Sequence, residues 1–560
     1  MKKSRRDFLK LLSTYSSLGV SAASFNSILD TLFLGSINEA LAAGVSNSKL
    51  LVLQAYAAPE RWVFDKFLDP YNSNRLQGLK TNSSQNNVNN QVVNYLTERS
   101  GRLIDSEYRF ANVNGIKSPY LWSQNVGSAN GGSRPMSDLL NNYINIRGID
   151  NGNGVHPISA AQQVQAAVGG ASITGVVADA SNAPLSHVAV NPVYSPFVSN
   201  KGKGRLRLGA SSTGGTDLIA EIKKPFSNQS EFINNSSLNK NLLAKMESFN
   251  SVIDNSLAKK KNLSASAESA LGGAKDLMFD KLDKMIGDYA SLKTKYVQVI
   301  QNTMDIEMLG INNKAVGLTP VSSRDKTYNA NSKAILEDDL RNIVPYFRYK
   351  SGRDETLDYM ADVFALAEYS MVNAMSDSVH LRILPWIRLK LRYSSGLTFV
   401  NQNFDAHQWG AISQVIVMTS FYACLSACLL ELIDQFKAAG IYKDSLIQFS
   451  GEFERRPRKD GSGSDHAGHA STVSLWSGKI DGAQVLGNVQ NATHSTYFGS
   501  YGYASEDEDG HIINMGNVAS TVADILQVQS PSPNNFSLVS VNNGKVIVPE
   551  KRLGKNKEIG

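Results

Sequence analysis

The stretch Ser445-Leu-Ile-Gln-Phe-Ser-Gly-Glu-Phe453 has the pattern of a short buried strand that ends in a polar turn. Between Val400 and Ser445 lies a segment of about thirty residues that has the length and apolar content of a buried helix. Another short apolar run, residues 397–400, precedes that helix. The order strand, helix, strand is typical of an α/β fold, so we predict a largely parallel sheet.

The same alternation extends over much of the chain. Short apolar runs of strand character are found at residues 49–54, 143–146, 173–178, 472–476 and 536–541. Each is bounded by residues that favour turns. The predicted fold class is therefore α/β, with a central sheet flanked by helices.

One region, residues 229–309, interrupts this alternation. It has no strand pattern, and after a Gly-Gly pair its apolar residues recur at alternating spacings of four and three. This heptad stripe comprises Met278, Leu282, Met285, Tyr289, Leu292, Tyr296 and Val299. We predict an inserted helical hairpin that either packs on the sheet domain or protrudes as an arm, which would bind a protein partner of the cell envelope or cover a substrate cleft.

The N-terminus reads Ser4-Arg5-Arg6-Asp7-Phe8-Leu9-Lys10 and precedes a weakly apolar, Ser- and Ala-rich segment. This block resembles a twin-arginine export signal. Ala40-Leu41-Ala42 offers a cleavage site of small residues. The resemblance implies export to the periplasm or cell surface, and we expect no transmembrane segment in the mature chain.

These patterns divide the chain of 560 residues into five parts. We predict a signal peptide (1–42), the N-terminal part of the α/β domain (43–228), the inserted hairpin (229–309), the C-terminal part of the α/β domain (310–548) and a flexible tail (549–560).

Composition excludes some classes of function. The formal net charge of +6 is too small to favour a nucleic-acid partner. Cys424 and Cys428 are four residues apart on the predicted helix, so we expect two buried thiols rather than a redox pair. The acidic run at residues 506–509 lacks the alternate-ligand spacing of a calcium loop and is interpreted as an acidic turn.

Chemically active residues concentrate in the C-terminal third of the sequence. Asp405 and His407 follow the strand at 397–400, and Glu452 follows the strand at 445–450. Asp465 and His466 lie in a nearby Gly-rich loop. Ligands of α/β proteins bind beyond the carboxyl ends of the strands. We therefore predict that these five residues bind a divalent metal such as zinc, manganese or calcium, because mixed carboxylate and imidazole ligands suit such ions.

Several motifs in this third together resemble the domain-of-unknown-function 1501 family. They are Phe404-Asp405-x-His407, Gly451-Glu452-Phe453-x-Arg455-x-Pro457 and Gly-Ser-Gly-x-Asp465-His466, with a long helix between the first two. The family typically shows Phe-Asp-Thr-His, Glu-Phe-Gly-Arg-Thr-Pro and Gly-Gly-x-Asp-His-Gly in this order. The resemblance covers residues 397–528 well and the rest of the chain poorly.

The resemblance implies an alkaline phosphatase- and sulfatase-like fold with a metal site that acts on phospho- or sulfo-esters. By position, His156 and Ser159 are the candidate catalytic residues, although Val155 stands where the family has its serine. Glu60 only loosely replaces the first carboxylate of the family. Two functions therefore remain open, a metal-dependent ester hydrolase and a non-enzymatic envelope scaffold or binding protein on the same fold.

Overall fold

The protein is represented by a computed structural model that covers the full sequence of 560 residues. The residues it describes are 47–66, 68, 77–80, 105–108, 110–167, 169–183, 185–191, 194–208, 282–305, 318–320, 343–345, 356–383, 386–393, 396–405, 407, 411–458, 464–491 and 503–558. The predicted signal peptide and residues 229–281 lie outside these ranges.

The structure alternates strands with helices. The strands are β1 (Lys49–Ala55), β2 (Gln77–Lys80), β3 (Asp105–Tyr108), β4 (Phe110–Val113), β5 (Ile116–Pro119), β6 (Asn125–Gly127), β7 (Ser133–Pro135), β8 (Asn142–Ile149), β9 (Val188–Val190), β10 (Leu206–Leu208), β11 (Leu318–Pro320), β12 (Ile343–Pro345), β13 (Ser378–Ile383), β14 (Trp386–Tyr393), β15 (Gly396–Asn403), β16 (Ser445–Ser450), β17 (Glu454–Pro457), β18 (Ser464–Ala467), β19 (Ser471–Trp476), β20 (Gly482–Leu486), β21 (Asn488–Asn491), β22 (Tyr503–Ser505), β23 (Ser540–Asn542), β24 (Lys545–Ile547) and β25 (Asn556–Glu558). The α-helices are α1 (His156–Gln162), α2 (Ile173–Ala180), α3 (Leu282–Asp305), α4 (Thr356–Val372), α5 (Ala411–Ala438) and α6 (Met515–Leu526). A π-helical turn (Trp62–Lys66) and 3₁₀ turns (Tyr120–Ser123, Met136–Asn141, Tyr442–Asp444 and Glu550–Arg552) complete the set.

Eight strands form the central sheet, in the order β10-β9-β13-β1-β16-β19-β8-β20. Neighbours from β10 through β16 run parallel, and β20 is parallel to β8. Only β19 is antiparallel to both of its neighbours in this sheet. The predicted α/β class with a mostly parallel sheet is confirmed, as are the predicted strands at 49–54 and 445–450.

Both faces of the sheet are buried, and β1 shows how the sequence achieves this. All seven residues of β1 are buried, and its side chains alternate between two apolar clusters. Leu51 and Leu53 join the cluster that contains α3, α4 and α5, whereas Leu50 and Val52 join the one that contains α2 and α6. The continuous apolar run therefore marks a strand between two helical layers.

Helix α5 is the long core helix that the sequence predicts. Its segment Val417–Ala438 is long and apolar enough to cross a membrane, but 89% of that segment's most apolar window is buried inside the protein. Cys424 and Cys428 lie within it as buried free thiols, as predicted. Burial raises the pKa of both thiols. The segment therefore has the burial expected of a core helix.

Helix α3 carries the predicted heptad stripe from Leu282 onward, and its residues Tyr289, Tyr296 and Val299 lie in the core. Tyr289 and Tyr296 are buried against α4, where their hydroxyls donate to Asp362 and Glu368 respectively. Lys295 adds an ion pair with Glu368 at 2.6 Å. The described part of the region 229–309 is thus packed against the main domain.

Two predicted strands are wrong, and a third is a strand that lies outside the central sheet. Residues 173–178 form helix α2, whose first turn is capped by the hydroxyl of Ser172 bonded to the amide of Gly175. Residues 397–400 form part of β15, which pairs with β14 in a separate three-stranded sheet. Of residues 536–541, only the last two are extended, in the small hairpin of β23 and β24.

The acidic run at residues 506–509 forms a turn that holds the C-terminal segment. The Asp507 carboxylate accepts the backbone amides of Asp509 and His511 at 2.9 and 3.0 Å and pairs with Arg552. Lys551 pairs with Asp509 at 2.8 Å. These contacts give the run a structural role as an acidic turn.

Candidate metal centre

The candidate site lies at the carboxyl edge of the parallel part of the sheet. In the register of β1, Gln54 is opposite Ser450 of β16, and Ala55 is opposite Ile383 of β13. Tyr56 and Glu452 therefore emerge close together just beyond their strands. This edge is where open α/β sheets bind ligands.

Glu452 forms the floor of the site and is completely buried. Its Oε1 accepts a hydrogen bond from Nη2 of Arg382 at 2.7 Å, and its Oε2 is bonded to Nδ1 of His156. Its backbone carbonyl accepts the side-chain amide of Gln163 at 3.3 Å. Both carboxylate oxygens are thus hydrogen-bonded, and Glu452 fixes the orientation of His156 through its Nδ1.

His156 is the first residue of α1 and is held among aromatic rings. Its ring centroid lies 4.6 Å from that of Phe453 and 4.8 Å from that of His466. Because Nδ1 faces Glu452, Nε2 is the nitrogen that remains for a ligand. A carboxylate bonded to the far nitrogen of a histidine is the usual support of a histidine that binds a metal.

His466 lies on the hairpin of β17 and β18 and reaches the same space. Its Nδ1 is bonded to the carbonyl of Gly154, and its Nε2 lies 2.8 Å from Nε2 of His407. Burial, and then the nearby charge of Arg455, lowers the pKa of His466 to about 4. The imidazole is therefore neutral at pH 7, the state in which histidine binds metals.

Asp405 follows β15 and is held by Arg455. Nη2 of Arg455 donates to Oδ1 of Asp405 at 2.7 Å, and the same guanidinium binds the carbonyls of Ala57 and Ala58 at 2.9 and 3.0 Å. Burial alone would raise the pKa of Asp405, but the charge and hydrogen bond of Arg455 bring it below its usual value. Asp405 is therefore ionised at neutral pH.

These side chains converge on one point. His156, Asp405 and His466 each present a ligand atom within 4.8 Å of the other two. His407 adjoins this group, since its Nε2 lies 3.7 Å from Oδ1 of Asp405. We refer to His156, Asp405, His407 and His466 as the histidine cluster. Two or three imidazoles with one carboxylate suit zinc or manganese better than calcium, which prefers oxygen ligands.

The structure gives the other predicted ligands different positions. Asp465 accepts hydrogen bonds from Nε and Nη2 of Arg458 and lies 3.4 Å from Nδ1 of His407. It therefore adjoins the cluster through His407. Glu452 supports the cluster through His156, and His156, predicted as a catalytic residue, stands among the candidate ligands.

Ser159, the predicted nucleophile, lies one helical turn after His156 but has no exposed surface. Its hydroxyl donates to Oδ1 of Asn153 at 3.0 Å. In this conformation the side chain is not accessible to a substrate. Glu60 is also buried, which raises its pKa to about 8 against the opposing effects of Ser464 and Arg455.

Two arginines and a tyrosine of the site were missed by the sequence analysis. Arg382 lies on β13, with its guanidinium 3.8 Å from the ring centroid of Tyr56. Arg455 belongs to the Gly451-Glu452-Phe453-x-Arg455 motif, and its side chain has no exposed surface. That motif was the available signal for Arg455, whereas the alternating run Ser378–Ile383 could have revealed β13 and hence Arg382.

Comparison with known proteins identifies a family match for one part of the chain. The family model described as "Protein of unknown function (DUF1501)" matches residues 373–507. The crystal structure of the PsFucS1 sulfatase from Pseudoalteromonas sp. is similar at 10% sequence identity and a TM-score of 0.26, over 93% of this chain and 77% of that chain. A likeness this weak carries no argument about fold or function. No curated protein matches the sequence.

Proposed function

We propose that this chain is an exported, metal-dependent hydrolase of phospho- or sulfo-esters with an alkaline phosphatase-like fold. The observation that carries the proposal is the convergence of ligand atoms from His156, Asp405 and His466 within 4.8 Å at the carboxyl edge of the sheet. Zinc or manganese is the proposed ion, since the ligand set contains more imidazole than carboxylate.

The protonation states of the cluster favour metal binding at neutral pH. The lowered pKa of His466, about 4, leaves its ring neutral, and the lowered pKa of Asp405 leaves its carboxylate charged. Proton competition for these ligands is therefore weak at pH 7. The Glu452 carboxylate fixes the orientation of His156.

The charges around the cluster favour an anionic substrate. Three arginines around the cluster are each paired with one carboxylate, so these pairs carry no net charge. The positive charge of a bound cation would therefore remain to attract an anion. The pairs are Arg382 with Glu452, Arg455 with Asp405, and Arg458 with Asp465. A divalent ion bound here would polarise a phosphoryl or sulfuryl oxygen and promote the loss of a proton from water.

Among the residues of the cluster, His407 is suited to move a proton. Its side chain is 36% exposed, and its Nε2 lies 2.8 Å from Nε2 of His466. This position joins the solvent to the interior of the cluster, as a proton relay requires. With Ser159 enclosed, water is the proposed nucleophile.

The test is the hydrolysis of 4-nitrophenyl phosphate and 4-nitrophenyl sulfate by the mature protein, with and without zinc or manganese. We expect metal-dependent hydrolysis that His466→Ala reduces by at least a hundredfold. His469→Ala is the matched control, because His469 is exposed and bonded to Asp150. Hydrolysis that is equal in metal-free protein, or insensitive to His466→Ala, would refute the proposal.

The enclosed hydroxyl of Ser159 favours a second candidate function, a non-enzymatic envelope scaffold or binding protein. Its partner would bind through the region 229–309. Helix α3 already packs in the core, so the deletion that tests this function is 229–276, which spares the helix. Unchanged assembly of the deletion variant in the envelope would exclude that role for the segment.

Export is part of both proposals and has its own test. The paired Arg5 and Arg6 are the essential feature of the proposed signal. A chain with both arginines changed to lysine should accumulate in the cytoplasm, whereas the unchanged chain should appear in the periplasm or at the cell surface. Equal export of the two chains would exclude the twin-arginine route.

A further inference from the structure

A second polar cleft, distinct from the histidine cluster, lies beside the first turn of α6. It has a volume of ≈ 260 Å³. Its polar lining comes from four segments, the loop after β8, the end of α1, the N-cap position of α6 and the loop after α6. These residues are Asp150, Asn151, Gln162, Asn514, Ser532 and Asn535.

Two buried polar atoms of this lining have unmet hydrogen-bonding capacity. Oδ1 of Asn151 and Oγ of Ser532 have no hydrogen-bond partner among the residues that the structure describes, and both side chains belong to residues only 4% exposed. The other end of the Asn151 amide is engaged, because its Nδ2 donates to Ser471 at 2.7 Å. Buried polar atoms of native proteins are nearly always bonded, so these two atoms point to a polar ligand.

The charges of the cleft exclude strongly ionic ligands. Among the described lining residues, Asp150 provides the only carboxylate, which is bonded to Nδ1 of His469 at 2.9 Å. The first amides of α6 are capped by Asn514, whose Oδ1 accepts from Gly516 and Asn517, so this helix end does not attract an anion. The remaining polar groups are neutral amides and a hydroxyl.

We propose that this cleft binds one unit of a neutral sugar. A sugar hydroxyl both donates and accepts, so a polyhydroxylated ring can satisfy the acceptor Asn151 and the hydroxyl of Ser532 together. Met515 and two alanines supply an apolar wall for the carbon face of the ring. The volume corresponds to roughly nine water molecules at ~30 Å³ each, enough for one sugar ring.

The close contact between Gly516 and Asn535 defines one wall of the cleft. A Cβ placed on Gly516 would lie 2.4 Å from Nδ2 of Asn535, so only glycine lets this amide cover the start of the helix. The amide of Asn535 is thereby held at the wall of the cleft. Asn535 is therefore proposed as a specificity residue for the sugar hydroxyls.

The test is calorimetric titration of the metal-free mature protein with glucose, galactose, mannose and N-acetylglucosamine, and with tetrasaccharides ending in each. We expect millimolar or tighter binding of at least one, weakened at least tenfold by Ser532→Ala and by Asn535→Leu. Ser532→Ala should leave the fold intact, since the hydroxyl it removes has no partner among the described residues. If these variants weaken the binding of tetrasaccharides more than that of monosaccharides, the ligand is the end of a sugar chain.

Asn141→Leu is the matched control, because Asn141 lines a different cleft. It should bind sugar as the unchanged protein does, and thermal unfolding should show that all variants are folded. The proposal is overturned if no sugar of the panel binds at 10 mM, or if binding survives both cleft variants. Binding that requires metal and is lost in His466→Ala would place the sugar at the histidine cluster and also overturn it.

Discussion

Arg455 and Asp405 join two segments that are fifty residues apart, through a bond of 2.7 Å from Nη2 to Oδ1. The arginine has no exposed surface, whereas the side chain of the aspartate is 37% exposed. The same guanidinium binds the carbonyls of Ala57 and Ala58, which have the positive φ values of 64° and 47°. One buried side chain therefore holds a candidate ligand and a strained turn after β1 in place.

Replacing Arg455 by lysine should lower both stability and metal affinity. Lysine cannot form the planar fork that reaches two carbonyls and a carboxylate. We expect the free energy of unfolding in urea to fall by about 1–3 kcal/mol, the cost of buried polar groups left without partners. Arg458→Lys is the control, because Arg458 is partly exposed and its loss should cost below about 1 kcal/mol. Equal effects of the two variants would contradict the role of Arg455.

Changing Glu452 to glutamine should weaken metal binding without removing a ligand. The change keeps the size of the side chain but removes the charge that orients His156. Loss of such a supporting carboxylate costs roughly 10–100-fold in metal affinity. Competition with a chelator would measure this loss. Glu454→Gln is the control, since Glu454 is equally buried but is paired with Lys66. The metal affinity of this variant should equal that of the unchanged protein.

The protein should lose stability as the pH falls from 6.5 towards 3. Burial, and then the charges of Arg382 and Arg205, lowers the pKa of His380 to about 3. Below pH 6.5 the unfolded chain therefore takes up a proton that the folded chain does not bind. The stabilising contribution is complete above pH 6.5 and lost towards pH 3, by an amount on the order of 5 kcal/mol.

Urea denaturation at a series of pH values would measure this loss. A His380→Gln variant should show a shallower dependence of unfolding free energy on pH. The pH dependence that remains in this variant should come from the buried His187, whose pKa is also lowered. An unchanged slope in His380→Gln would show that other groups cause the acid sensitivity.

Gly175 in α2 should not tolerate a side chain. A Cβ there would lie 1.9 Å from the carbonyl oxygen of Val198. Gly175→Ala should therefore reduce the free energy of unfolding by about 1–3 kcal/mol or more, the usual cost of overpacking. Gly132→Ala is the control, because its nearest contact would be the Ser128 hydroxyl at 3.6 Å, and its stability should hardly change. Similar stability of both variants would contradict the packing of α2.

The sequence was sufficient for elements whose burial leaves a long or uniform apolar pattern. Strands β1 and β16 are buried on both faces, so each is a continuous apolar run in the sequence. Helix α5 has 28 residues, which is too long for a strand. The run 173–178 is short and β-branched, and periodicity cannot separate a buried strand from a buried helix at that length. The cap at Ser172 was the local signal for a helix.

The candidate site was predictable as a set of residues but not as an arrangement. Asp405, His407 and His466 could be named from their motifs because those motifs are local in sequence. The pairing of Glu452 with Arg382 and His156 depends on residues 70 and 296 positions away, which no local pattern encodes. His156 was therefore predicted as a catalytic residue, whereas the structure places it among the candidate ligands.

The central claim is that the histidine cluster binds a divalent cation. Anomalous scattering at the zinc and manganese absorption edges, from crystals of the mature exported protein, tests it most directly. We predict one peak at roughly 2.0–2.2 Å from a nitrogen of His156, a nitrogen of His466 and an oxygen of Asp405. No peak after incubation with either metal, or a peak bound by other residues, would contradict it.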